Sequence, residues 1–193
     1  AQKWKFEDGT VAPARGTSDI KVLSDKTGSP TWYGNFDNTV RYRDFDFSFG
    51  LQFAGGNYIL NSTNLGLMSF MLNNNIERIK DRWTAPGQKT DIPKLYHGDR
   101  TSLTTSTQWL EKGDFLRLRD ITFGYNVPAN LISKIGVSYA RIYLKGSNLG
   151  VLTKYTGTDP EISTNRNANI SVGNDNRSVP YPRIFTVGLN INF

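Results

Sequence analysis

The sequence predicts an all-β fold: part of the wall of a transmembrane antiparallel β-barrel. Three observations carry that expectation. Several segments alternate between apolar residues and small or polar ones, the period of a strand with two unlike faces. These segments run to roughly 9–12 residues, and about 9–11 tilted residues cross a bilayer. The connections also alternate in length along the chain, and outer-membrane barrels sort theirs into short periplasmic turns and longer extracellular loops.

A long lead-in, 1–35, comes first. "FDNTVRYR" (36–43) then sets Phe36, Asn38, Val40 and Tyr42 against Asp37, Thr39, Arg41 and Arg43. "FDFSFGLQF" (45–53) alternates more cleanly, with Phe45, Phe47, Phe49, Leu51 and Phe53 against Asp46, Ser48, Gly50 and Gln52. The pair reads as a hairpin with a tight turn near Arg43-Asp44. A long loop, 54–113, follows. Within it Leu65, Met68, Leu72, Ile76, Ile79 and Trp83 hold helical spacing, and Thr63 or Asn64 is placed to cap the start. The plain reading is a loop helix packed on neighbouring loops; the sharper one is a lid or partner-docking element.

The third strand is 114–126, in "DFLRLRDITFGYNVP". Ile121, Phe123 and Tyr125 share a face, while Leu116 and Leu118 fall out of phase with them. Either a bulge lies near Arg119-Asp120, or the early part stands clear of the apolar zone. Pro128 stops the ladder. "VPANLISKIG" is then a short connection, one helical turn closed by Gly136. The fourth strand, 137–148, turns Ala140, Ile142 and Leu144 one way and Arg141, Tyr143 and Lys145 the other. After a long loop, 149–181, the fifth strand (182–193) alternates Phe185, Val187, Leu189, Ile191 and Phe193 with Thr186, Gly188, Asn190 and Asn192.

A soluble antiparallel sheet also alternates, so a soluble carbohydrate-binding β-sandwich stays open as a second reading. Strand length, a small and charged second face, and aromatics near the strand ends favour the membrane wall. The phenylalanine face then meets lipid, and Asp46, Ser48 and Gln52 face a wet lumen. Five strands cannot close a barrel, and an open edge in lipid leaves backbone groups unpaired. Further strands are therefore expected, from a longer polypeptide or from the other part of a split one. No stretch near Ala1 reads as a secretion signal, which fits a removed leader or a start inside a longer gene product.

Composition narrows the chemistry. The 193 residues include no cysteine and one histidine, which excludes disulfides, thiol catalysis and multi-histidine metal sites. The net charge is +6, and its basic residues are dispersed, as at Arg41, Arg43, Lys80, Arg82, Arg117, Arg119 and Arg141, rather than clustered as nucleic-acid binding would require. The longest apolar run, Leu65 to Leu72, is too short for a membrane helix. No catalytic constellation stands out, so neither an enzyme nor a cofactor is expected.

Five separated blocks carry a resemblance. "GNFDNTVRYRDFDFSFGLQFAGGN" (34–57), "DRWTAPGQKTDIPKL" (81–95), "GDFLRLRDITFGYNVP" (113–128), "ARIYLKGSNLGVLTKYTGTDPE" (140–161) and "PRIFTVGLNINF" (182–193) together resemble, in order, the C-terminal end of SusC/RagA-type TonB-dependent transporters. The resemblance covers the chain from about residue 19. It implies the last five strands of a plugged barrel of about 22 strands, in the bacterial outer membrane. It also implies import of oligosaccharides or peptides with a SusD-like surface lipoprotein as lid, driven by TonB acting on a plug that this chain lacks. The terminal Phe193 matches the aromatic last residue read during outer-membrane assembly. A siderophore receptor or a passive porin is the alternative within the same membrane.

On that reading Asp46, Gln52, Arg141, Tyr143 and Lys145 line the substrate path or hold the plug. Trp83, Tyr96, Trp109 and Tyr155 either stack on substrate or anchor the loops to one another. Asp159 and Glu161 of "TDPE" suggest calcium or, more plainly, a turn. "SVGNDNRS" (171–178) resembles a calcium loop without its ligand spacing. His97 reads as a surface residue. Asn61-Ser62-Thr63 matches a glycosylation acceptor, which carries little meaning in a bacterial outer membrane.

Overall fold

The computed structural model describes residues 4–5, 11–12, 25–68, 75–92, 94, 105–161, 164 and 172–193. Leu72, Tyr96 and His97 lie outside them. Near the start, β1 (Trp4–Lys5) and β2 (Val11–Ala12) pair with each other. The principal body is a five-stranded antiparallel sheet. It contains β3 (Trp32–Tyr42), β4 (Phe45–Gly55), β7 (Phe115–Asn126), β8 (Tyr139–Thr153) and β10 (Ile184–Asn192), in the order β10-β8-β7-β4-β3. Each of these strands lies beside its predecessor among the five, as in an up-and-down wall.

The alternation decides which way each side chain points. Cross-strand pairing lines up Val40, Phe47, Phe123, Leu144 and Val187 in one row. Tyr42, Phe45, Tyr125, Ile142 and Leu189 form the next. These apolar rows are uncovered: Phe185 is 78% and Val187 76% exposed, and Phe47 is exposed as well. The rings touch one another along the face, Phe45 against Phe123 at 5.7 Å and Phe36 against Phe49 at 6.0 Å between centroids. A sandwich would gather Phe47, Phe49 and Phe185 into a shared core, and no such core forms. The opposite face holds Asp46, Ser48, Gly50 and Gln52 on β4, and Asp46 and Gly50 are buried there.

The phase break in the third strand is a bulge at Arg119. Gly50 pairs with Asp120 and Leu51 with Leu118, so Arg119 is the extra residue against β4. On the other side Asn148 and Leu149 together oppose it, and Asn148 turns through a left-handed φ of 54°. The extra residue lets Leu116 and Leu118 join Ile121, Phe123 and Tyr125 on one apolar face.

Two short turns lie side by side at one end. Arg43-Asp44 closes β3–β4 with Arg43 at φ 51°, and Asp44 O accepts from Asn126 N at 2.7 Å. The β7–β8 turn holds the short helix α2 (Ala129–Ile132) and a 3-10 turn (Ser133–Ile135) closed by Gly136 at φ 76°. The other end carries the long connections.

Those connections build a second, smaller body. β5 (Tyr58–Asn61) pairs antiparallel with β6 (Leu110–Lys112) and parallel with β9 (Asn174–Asp175). α1 spans only Ser62–Leu67, capped by Asn61, whose side chain accepts from Asn64 N. The long helix expected through Ile79 and Trp83 is thus corrected, as is its cap. Ile76 is extended, and Glu77–Asp81 forms a 3-10 turn. Gly66 and the run Asn73-Asn74-Asn75 have poor helix propensity, which spacing alone ignores. The apolar stripe still packs: Met68, Ile92 and Trp109 form a buried cluster with Leu60, Leu65, Ile76 and Ile79 against it.

Candidate functional site

The inner face of the sheet and the rim above it form the candidate site. Near the short turns, Asp46 on β4 takes a two-pronged bond from Arg141 on β8, Nε at 3.0 Å and Nη2 at 2.5 Å. β7 runs between the two, and its residue at that level is Gly124. A Cβ there would collide with both the carboxylate and the guanidinium, so a larger residue would push the pair out of this position over the middle strand. Tyr143 lies half-buried on β8, its ring over Gly188 of β10, with the Arg141 guanidinium 5.2 Å from the ring centroid.

One level higher, the bulged Arg119 reaches two carboxylates. Its Nη2 donates to Asp37 on β3 at 2.5 Å and its Nε to Asp120 at 2.7 Å. Gly50 clears the space for this triad as Gly124 does for the pair. These ion pairs tie β4 to β8 and β3 to β7 through side chains as well as through the ladder.

At the rim the wall captures a loop. Arg117 on β7 is only 4% exposed. Its Nη2 donates to Asp159 at 2.5 Å and its Nη1 to Asn148 at 2.5 Å. Its Nε sits 2.6 Å from Glu161 as an ion pair without hydrogen-bond alignment. Gln52 on β4 donates to the other Glu161 oxygen at 2.6 Å. Asp159 also accepts from Glu161 N at 3.0 Å, the local turn that Asp-Pro favours. Asp159 and Glu161 thus serve as anions for Arg117, and "TDPE" is a latch that folds the β8–β10 loop inward onto the wall. Charge-assisted bonds of this kind are among the stronger ones.

Above the latch, polar side chains weld the two long loops together. Asn61 is fully buried and donates to Glu111 at 2.9 Å and Thr156 at 3.3 Å. Glu111 accepts from Thr156 N at 2.7 Å. Tyr155 donates to the buried Asp175 at 2.6 Å. Burial pushes the Tyr155 phenol well above its ordinary value of 10.0, and the bond to Asp175 adds to the shift. Asp175 also accepts from Thr63 and Ser178, so the "SVGNDNRS" carboxylate is a joint between loops. Trp109 is buried in the loop core. Trp83 is half-buried, its backbone N–H donating to Ile92 O at 3.0 Å and Lys94 5.9 Å from its ring centroid. A cleft of about 340 Å³ opens below, bordered by Asn35, Gln52, Asn57, Phe115 and Glu161, and the buried Asn57 Oδ1 beside it has no partner.

The sequence-selected residues separate into three places: Asp46, Arg141 and Tyr143 low on the wall, Gln52 at the rim, Trp83 and Trp109 in the loops. Sequence reasoning did not select Asp37, Asp120, Asn148 or Arg119, nor Arg117 as a partner of "TDPE". One signal was available: Arg117 and Arg119 alternate with Leu116 and Leu118 on a strand with a buried face, and a buried guanidinium demands carboxylates nearby.

No protein-family model matches the chain. It is 35% identical over 181 residues to TonB-dependent receptor P3 of Formosa agariphila, covering 92% of this chain and 18% of that protein. It is 28% identical to TonB-dependent receptor SusC of Bacteroides thetaiotaomicron, covering 80% of this chain and 14% of SusC. Its fold matches the RagAB peptide importer in the open-open state with a TM-score of 0.82 at 22% identity, over 100% of this chain and 20% of that one. The chain thus spans less than a fifth of the length of these curated relatives. With its antiparallel wall, it belongs to the SusC/RagA-type TonB-dependent receptors, as one segment of that longer protein.

Proposed function

We propose that this chain supplies wall and rim to a transporter that imports oligosaccharides or peptides across the outer membrane. Its sheet is completed by the remaining strands into a closed barrel of about 22, around a plug through which TonB acts. The apolar rows face lipid, the Asp46–Arg141 and Arg119 clusters face the lumen and plug, and the welded loops meet a SusD-like lipoprotein. Asp46, Gln52, Arg141 and Tyr143 line the path or hold the plug, while Trp83 and Trp109 shape the loops above it.

The observation that carries this reading is the uncovered apolar face. Ten steps along β3 from Trp32 to Tyr42 cover about 34 Å at 3.4 Å each, or about 26 Å once tilted by about 40°, against an apolar band of about 25 Å. The likeness to the RagAB peptide importer supports the transport class. The test is uptake by cells carrying the full transporter, offered labelled oligosaccharides and peptides, with TonB intact or inactivated. Uptake of one class, lost without TonB and without the lipoprotein, is expected. Uptake indifferent to TonB, or a full protein that fractionates with soluble material, overturns the proposal.

A further inference from the structure

The β7–β8 turn does something its neighbour does not. Both short turns sit at the same end of the sheet, yet the β3–β4 turn is the charged pair Arg43-Asp44, whereas residues 127–138 read "VPANLISKIGVS" with one lysine and no acid. This second turn folds over the apolar side of the sheet. Ile132 and Val137 are buried against Ala140 and Val127. Val127 continues the face of Tyr125, and Ala140 that of Ile142 and, across the ladder, Ile191. Val127 N donates to Ala140 O at 2.8 Å, which closes the strands directly beneath the turn.

The far side of the turn is also apolar. Leu131 is 62% and Ile135 73% exposed, one in α2 and the other in the 3-10 turn that follows it. Lys134 stands beside them. Aliphatic side chains held out next to a polar hairpin call for a cover. Their position names it, because the turn that carries them packs Ile132 and Val137 onto Val127 and Ala140, which continue the apolar face of the wall to its end.

We propose that this turn is an interfacial anchor. Leu131 and Ile135 seat among the acyl chains at the periplasmic leaflet, and Lys134 holds its ammonium at the level of the lipid phosphates, as long basic side chains do at such boundaries. The partner is the bilayer itself, and this inference rests on the reading of the wall as lipid-facing.

The test uses the full transporter in a cysteine-free background, reconstituted in phosphatidylethanolamine–phosphatidylglycerol vesicles. Single nitroxide labels are placed through Leu131→Cys, Ile135→Cys, Val187→Cys and Arg43→Cys. Collision with oxygen, which concentrates in lipid, is compared with collision with a water-soluble nickel complex. All four side chains are exposed, so the labels leave the packed residues intact, and heat-modifiable mobility on gels verifies assembly. The oxygen-to-nickel ratio at 131 and 135 is expected to exceed that at 43 several-fold and to approach that at 187. A high ratio at 187 with water-like ratios at 131 and 135 overturns the anchor and leaves the wall standing. A water-like ratio at 187 overturns both.

Discussion

Arg117 shows how one side chain can set the position of a loop. Its guanidinium is buried with two carboxylates and an amide around it, so removing it strands Asp159, itself only 3% exposed. Breaking a buried pair from one side costs about 3–5 kcal/mol. Arg117→Met in the full transporter should therefore raise protease cleavage within 154–161 by two orders of magnitude or more. Arg117→Lys should fall between, because an ammonium cannot serve two carboxylates in a planar fork. Unchanged cleavage in both variants would show that the loop is held by other contacts. Tyr155 gives a pH signature outside the wall. A phenol whose pKa is raised by folding stabilises the native state fully below its unfolded value of 10.0. That contribution is lost as the pH climbs above it, because the unfolded chain then sheds the proton first. Hydrogen exchange in 172–178 should accelerate above about pH 10 in the wild type. In Tyr155→Phe the loop joint should be weaker below pH 10, by about 1–3 kcal/mol for the Asp175 carboxylate left short of a donor, and the alkaline acceleration should be smaller.

Among the elements, β7 is the one whose form depends most on a single insertion. Arg119 has no partner in the ladder, and a one-residue slip turns every following side chain to the other face. Deleting Arg119 should send either Leu116 and Leu118 or Ile121 and Phe123 into the polar interior. It should also remove the cation between Asp37 and Asp120. The expected outcome is loss of the heat-modifiable band and of protein from the outer-membrane fraction, whereas Arg119→Gln, which keeps the residue count, should still assemble. The same strand shows what was legible in the sequence. The phase break between Leu118 and Ile121 is visible because strand periodicity is rigid, two residues per repeat leaving no slack, but it fits a bulge or a strand start clear of the apolar zone, and only the pairing across β4 and β8 chooses the bulge. The loop helix was misread because a 3-4 spacing of apolar residues also suits a segment that folds back on a small core, as Ile76, Ile79, Met68 and Trp109 do. Strand faces follow from local sequence, so Asp46 and Gln52 could be selected. The Arg117 latch joins residues 42 apart through a turn, and its geometry is set by where the loop lands, which no local pattern encodes.

At the scale of the whole chain, the sheet contradicts the habits of a soluble domain. Its apolar face is turned out, and its buried polar side chains lie on the other face, paired with one another across strands. Among the described residues β3 and β10 each keep one edge without a ladder partner. Water penalises both features, since the outward rows gain nothing from burial and open edges pair with other chains. In lipid the rows are solvated, but the edges then become the larger cost, because hydrocarbon offers no hydrogen bonds. The two solvents therefore make different demands, and only a wall completed by neighbouring strands within a bilayer meets both. This chain expressed alone should sediment without detergent and, once solubilised, lack a heat-modifiable form. Joined to the rest of its transporter, it should extract from the outer membrane as a folded, protease-resistant species. A monomeric, soluble chain with Val187 and Phe185 protected from solvent would show that the apolar face packs on itself, and the membrane wall would have to be abandoned.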